Sequence, residues 1–156
     1  MYEPHDRRSN ALAVAAVRKK ELLQTLYALE PETPMISGPE DAAIQFMKYK
    51  DRKVEYFFTL SLDNKNNLIK RHEISKGTVD QTSIYAREVF RPTLVCHGSG
   101  IILGHNHPGG DPFPSRQDME LTTKLAEAAQ ILGVRLLDHI VVARSGHFSF
   151  QDHAYL

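Results

Sequence analysis

The stretch Val54–Leu62, VEYFFTLSL, most narrows what this chain can become. It is β-branched and aromatic, and too dense in apolar side chains to lie open to water. Such a run predicts a strand in the middle of a sheet. Asp63-Asn64-Lys65-Asn66-Asn67 then supplies turn residues, and Leu68–Ser75 (LIKRHEIS) resumes as a second strand, so a hairpin is expected. Ser99–Gly104 (SGIILG) and Arg135–Ala143 are two more apolar runs of buried-strand type, and His147–Phe150 closes the chain's β content.

Helical patterns alternate with these strands. Ile84–His97 reads as a helix kinked at Pro92. Ser115 opens SRQDMELTTKLAEAAQIL, which sets Leu121, Leu125, Ala128, Ala129 and Leu132 on one face and stops at Gly133. Upstream, apolar positions recur every three or four residues from Asn10 to about Leu29, an amphipathic pattern. The segment PETPMISGP interrupts it, and Ser37-Gly38-Pro39 begins a further helix, with proline suited to the first turn. The order of elements implies an α/β fold: one domain with a mixed β-sheet and flanking helices over 37–156, preceded by a helical extension and connector over 1–36.

The length of 156 residues suits one such core and not two. Charge is balanced, 19 Lys+Arg against 19 Asp+Glu, which argues against a broad nucleic-acid footprint. The single cysteine, Cys96, excludes an internal disulfide framework and a cysteine-based zinc ribbon. Cys96 itself reads as a structural thiol. No apolar run approaches the about 20 residues of a membrane helix, and MYEPHDRRSN has no signal-peptide core, so a cytoplasmic soluble protein without a membrane partner is expected.

Among the 8 histidines, His105 and His107 are separated by one residue at the exit of an apolar strand. The loop running from His105 to Pro114 leads to Ser115 and Asp118 at a helix start. Two imidazoles and one carboxylate are a ligand set for a divalent ion of zinc type that leaves the fourth tetrahedral position to water. Ser115-x-x-Asp118 also reads as a capping box, which needs no metal. The two readings are compatible, because a capped helix start is a rigid mount for a ligand.

The string H-x-H-P-x(6)-S-x(2)-D resembles the JAMM (MPN+) signature of the JAB/MPN metallopeptidases. The longer stretch HNHPGGDPFPSRQDMELTTKLAEAAQILGVRLLDHIVV resembles the RadC-like branch, historically labelled as DNA-repair proteins. The resemblance implies a cytidine-deaminase-like architecture and one zinc per chain, held by His105, His107 and Asp118. It implies that Ser115 helps to stabilise a tetrahedral oxyanion. It also implies an upstream glutamate before a strand of the form E-x-F-x-x-L-x-L-D, here Glu55 to Asp63, so Glu55 is the expected general base acting on a zinc-bound water. Glu73 and Glu88 read as surface residues, and Asp138-His139 reads either as a pair that supports the ligands from behind or as a hydrogen-bonded structural pair on a strand.

Other metal and nucleophile motifs are absent. His72-Glu73 is followed at the fifth position by Lys76, so H-E-x-x-H does not form. One cysteine cannot make the P-C-x-x-C of zinc deaminases. The resemblance implies hydrolysis of an amide bond, with a protein or peptide as the expected substrate. Two alternatives belong to other classes: a repair-associated module that touches DNA, and an interaction scaffold without catalysis. The longer RadC-like proteins carry an N-terminal helix-hairpin-helix region, and no such hairpin is recognisable before Val54.

Overall fold

The computed structural model describes residues 17–19, 21–22, 33–77 and 84–156. The chain divides into two units, Met1–Glu32 and Thr33–Leu156. Of the helix expected between Asn10 and Leu29, residues 17–19 and 21–22 are helical, and the rest lies outside the described residues.

The second unit is a single mixed sheet with helices on both faces. In chain order it contains α1 (Pro39–Ile44), a 3-10 turn (Met47–Tyr49), β1 (Glu55–Leu62), β2 (Leu68–Gly77), α2 (Ala86–Val95), β3 (Gly100–Asn106), α3 (Arg116–Leu132), β4 (Arg135–Ala143) and β5 (Gly146–Ser149). The strands lie in the order β2-β1-β3-β4-β5. Only β3 and β4 run parallel, and α3 supplies the crossover between them.

The apolar density of β1 follows from its place. Side chains alternate across a strand, so Tyr56, Phe58, Leu60 and Leu62 face one way, where they meet Ala42, Ala43 and Phe46 of the α1 region. Phe57 faces the other way, with Val89 and Phe90 of α2 and Leu121, Leu125 and Ala129 of α3. Both faces are covered, so the alternation normally left by water is missing. Leu132, expected on the apolar face of α3, is 43% exposed at the helix's last residue. Pro92 lies inside α2 as expected. Among the described residues no helix is long and apolar enough to cross a membrane.

At one position the two layers meet without room for a side chain. A Cβ on Gly104 would lie 2.3 Å from the Phe46 ring, which is fully buried. Gly104→Ala is therefore expected to cost about 1–3 kcal/mol in chemical denaturation, the range for overpacking a filled core. Adding Phe46→Leu should recover part of that loss. An unchanged midpoint in the single variant would show that the contact relaxes freely.

Candidate metal centre

The site forms where β1 begins, β3 ends and α3 begins. The exit loop expected from His105 onward starts two residues later than the sequence suggests. His105 pairs with Phe57 and Val141, and Asn106 with Val142, so both belong to β3. The ladder on both sides makes the first ligand position part of a rigid sheet instead of a loop.

Asp118 reaches the same point from α3. Ser115 is the N-cap and the capping box is complete: Ser115 Oγ accepts from the Asp118 N–H at 3.1 Å, and Asp118 Oδ2 accepts from the Ser115 N–H at 2.7 Å. Ser115 Oγ also donates to Asp118 Oδ2 at 2.6 Å. Gly133, left-handed at φ 67°, ends the helix as its sequence position predicts.

The loop between these elements is anchored. The His107 N–H donates to the Val142 carbonyl at 2.9 Å, and Ser145 donates to the Gly110 carbonyl through its N–H (3.1 Å) and Oγ (2.9 Å). Phe113 lies edge-on to Phe148 at 5.5 Å. The Pro-rich segment is thus fastened to the β4–β5 turn.

Glu55, His105, His107 and Asp118 converge, each offering one ligand atom, with all four atoms within 4.8 Å of one another. His105 Nε2 lies 3.0 Å from His107 Nε2 and 3.3 Å from Asp118 Oδ1. Asp118 Oδ2 is 3.4 Å from His107 Nε2, and Glu55 Oε1 is 3.9 Å from His105 Nε2. His107 Nδ1 lies 2.9 Å from the Asp111 carbonyl, which can only accept. That nitrogen therefore carries a proton, and Nε2 turns to the cluster. Two imidazole nitrogens and two carboxylates aimed at one point are a donor set that fits a divalent cation.

Charge in the cluster is strongly coupled. Burial opposes ionisation of Asp118, but the His105 and His107 imidazoles and the Ser115 hydroxyl outweigh it and hold its pKa far below the usual carboxylate range. Burial pulls His107 down, yet its bonds to Asp118 and the Asp111 carbonyl leave it raised. A metal at His107 Nε2 would therefore compete with a proton for the same lone pair. Burial raises Glu55, partly offset by the two imidazoles. A half-buried carboxylate with a raised pKa is suited to taking up a proton.

Asp138 and His139 are neighbours on β4, so they point to opposite faces. His139 is fully buried behind His105, with its Nε2 2.9 Å from His105 Nδ1. The Asp138 carboxylate instead accepts from Ser149 Oγ at 2.6 Å and from the Gln151 and His139 N–H groups, tying down the chain after β5. Glu73 and Glu88 are exposed and line a cavity of about 430 Å³ between β2 and α2, away from the cluster. Cys96 is half-buried and donates to the Thr93 carbonyl at 3.4 Å. Of the remaining histidines, His97, His147 and His153 are exposed, His72 is half-buried, and His5 lies outside the described residues.

One residue between the two histidines escaped the sequence reading. Asn106 is fully buried; its Oδ1 accepts from the Tyr56 N–H at 2.8 Å and its Nδ2 donates to the Val54 carbonyl at 3.1 Å. The amide thus grips the backbone on both sides of Glu55. Nothing in an isolated H-N-H announces this, because the partners lie 50 and 52 residues away. Asn106→Leu keeps the branched outline of the side chain and strands both backbone groups, so a loss of about 1–3 kcal/mol per group is expected in urea denaturation. A variant as stable as the parent would show that the grip does not form.

The fold and cluster define an α/β domain with a metal-capable His/His/Asp/Glu site. Residues 36–155 match the RadC-like JAB domain, and the chain belongs to that family. It is 37% identical over 147 residues to a UPF0758 protein of Thermotoga maritima, covering 92% of this chain and 66% of the relative. A UPF0758 protein of Methanosarcina acetivorans is 33% identical over 149 residues, covering 96% of this chain and 65% of the relative. One from Geotalea uraniireducens reaches 45% over 105 residues, 67% of this chain and 46% of the relative. The chain thus spans about half to two thirds of the length of these relatives.

Proposed function

We propose that this domain is a zinc-dependent hydrolase of amide bonds in proteins or peptides, of the JAMM type. The observation that carries the proposal is the convergence of four ligand atoms within 4.8 Å, three of them on the signature positions His105, His107 and Asp118 and the fourth on Glu55. Nitrogen and oxygen donors without thiolate suit an open catalytic site. A zinc ion held by the two histidines and Asp118 would lower the pKa of water and polarise a carbonyl.

The chain's own residues supply the rest. Glu55 is the most exposed member of the quartet and has the raised pKa of a base. It takes a proton from the attacking water onto its carboxylate and passes it to the departing amine. Asn106 keeps the Glu55 backbone in register with the histidines. The one hydroxyl proton of Ser115 holds Asp118 through Oδ2; swung from there to the developing oxyanion, it would serve an interaction worth about 2.7–4 kcal/mol in other hydrolases.

The test is zinc uptake by the intact chain in non-chelating buffer, followed by hydrolysis of peptide and isopeptide substrates. About one tightly held zinc per chain is expected, from the one such ligand set among the described residues. A folded chain that never takes up zinc overturns the proposal.

A further inference from the structure

A chain of four hydrogen-bonding groups runs behind the cluster, and its proton positions can be worked out from one end. Thr122 Oγ1 lies 2.6 Å from the Asp118 backbone carbonyl. Two oxygens that close need a proton between them, and a carbonyl has none to give, so the hydroxyl donates there. Thr122 Oγ1 is also 2.6 Å from His139 Nδ1. Its one proton being committed, the hydroxyl accepts, and His139 carries its proton on Nδ1. The His139 ring is fully buried, stacked on Phe150 at 4.8 Å and edge-on to Phe57 at 5.6 Å. With no carboxylate among its hydrogen-bond partners, the ring is neutral, and its Nε2 can only accept. His105 Nδ1, 2.9 Å away, must then donate. The remaining nitrogen of His105, Nε2, is left with its lone pair directed at the cluster.

We infer that Thr122 and His139 are positioning residues that lock the ring tautomer of His105 and so present its Nε2 to a metal. The chain closes on itself. It starts at the backbone of Asp118 on α3 and ends at His105 on β3, so one set of hydrogen bonds fixes two ligands that lie on different elements. A threonine side chain that bonds the carbonyl four residues back is ordinarily a local contact within its own helix. Here the same hydroxyl is the anchor from which the tautomer of a ligand is set. The purpose of the lock rests on the metal proposal above, whereas the tautomer itself can be read without metal.

The experiment combines two measurements on the parent chain, Thr122→Ser and Thr122→Val. The first is nitrogen-15 NMR of the imidazoles in metal-free protein, at a pH alkaline to histidine titration. The second is zinc affinity by competition with a chelating dye. The parent and Thr122→Ser should show His105 protonated on Nδ1 and bind zinc alike. Thr122→Val removes the acceptor of the His139 proton, so the Nδ1–H form of His105 should be lost in part. Zinc should then bind about 10–100-fold more weakly, the usual loss when a ligand's supporting bond is removed. A thermal melt of each variant separates this from unfolding, and the serine variant keeps the test alive if valine fails to fold. The inference is overturned if parent His105 carries its proton on Nε2, if Thr122→Val keeps both the parent tautomer and parent affinity, or if Thr122→Ser loses them. A parent that binds no zinc but shows Nδ1–H at His105 would sink the metal proposal and leave the lock standing.

Discussion

Replacing Glu55 by Gln is expected to lower amide hydrolysis by about 10²–10⁴-fold, the range for loss of a general base, while zinc binding persists. The glutamine amide has the size of the carboxylate but cannot accept and later return a proton. The three other ligand atoms are untouched, because Glu55 comes from β1 and the others from β3 and the start of α3. Metal content and rate measured on the same preparation check this. Equal rates in Glu55→Gln and an active parent would remove Glu55 from the chemistry. A fall in both zinc and rate would make it a ligand first and a base second.

The second large effect is on the metal. His105→Ala/His107→Ala leaves one carboxylate of the signature set, so zinc affinity should fall well beyond the about 10–100-fold of a supporting residue. Folding must be controlled, because His105 is fully buried and stacks on Phe57 at 6.0 Å. Its removal leaves His139 Nε2 without a donor, a cost of about 1–3 kcal/mol. His107→Ala alone provides the control, since that ring is partly exposed and serves only the cluster and the Asp111 carbonyl. A His107→Ala protein that melts like the parent but retains zinc at parent affinity would exclude His107 as a ligand.

These expectations draw unequally on sequence and structure. The density of VEYFFTLSL led to a central strand because both faces of β1 are covered, and burial on both faces is written directly into residue type. The capping box and the Gly133 stop were legible for a similar reason: they are local, with partners within a few residues. The approach of His105, His107 and Asp118 was legible only through motif spacing, since thirteen residues of chain do not by themselves say where a loop returns. The strand end was misplaced by two residues, because the pairing that draws His105 and Asn106 into β3 comes from β1 and β4.

Asp138 and His139 show the division most plainly. As a dipeptide they read as one acid–imidazole unit. In a strand they are split between two faces, one fastening the chain after β5 and the other backing His105. Asn106 and Thr122 carried no signal, since an asparagine and a helical threonine acquire their roles from partners 50 and 17 residues distant. Sequence alone determined the residue types that can line a buried strand, cap a helix and bind a divalent cation, because those are properties of single side chains and near neighbours. Tertiary structure alone decided which lone pairs face one another and which protons are fixed. A hydrogen bond demands atoms within about 3 Å, and only the folded sheet brings β1, β3, β4 and α3 that close.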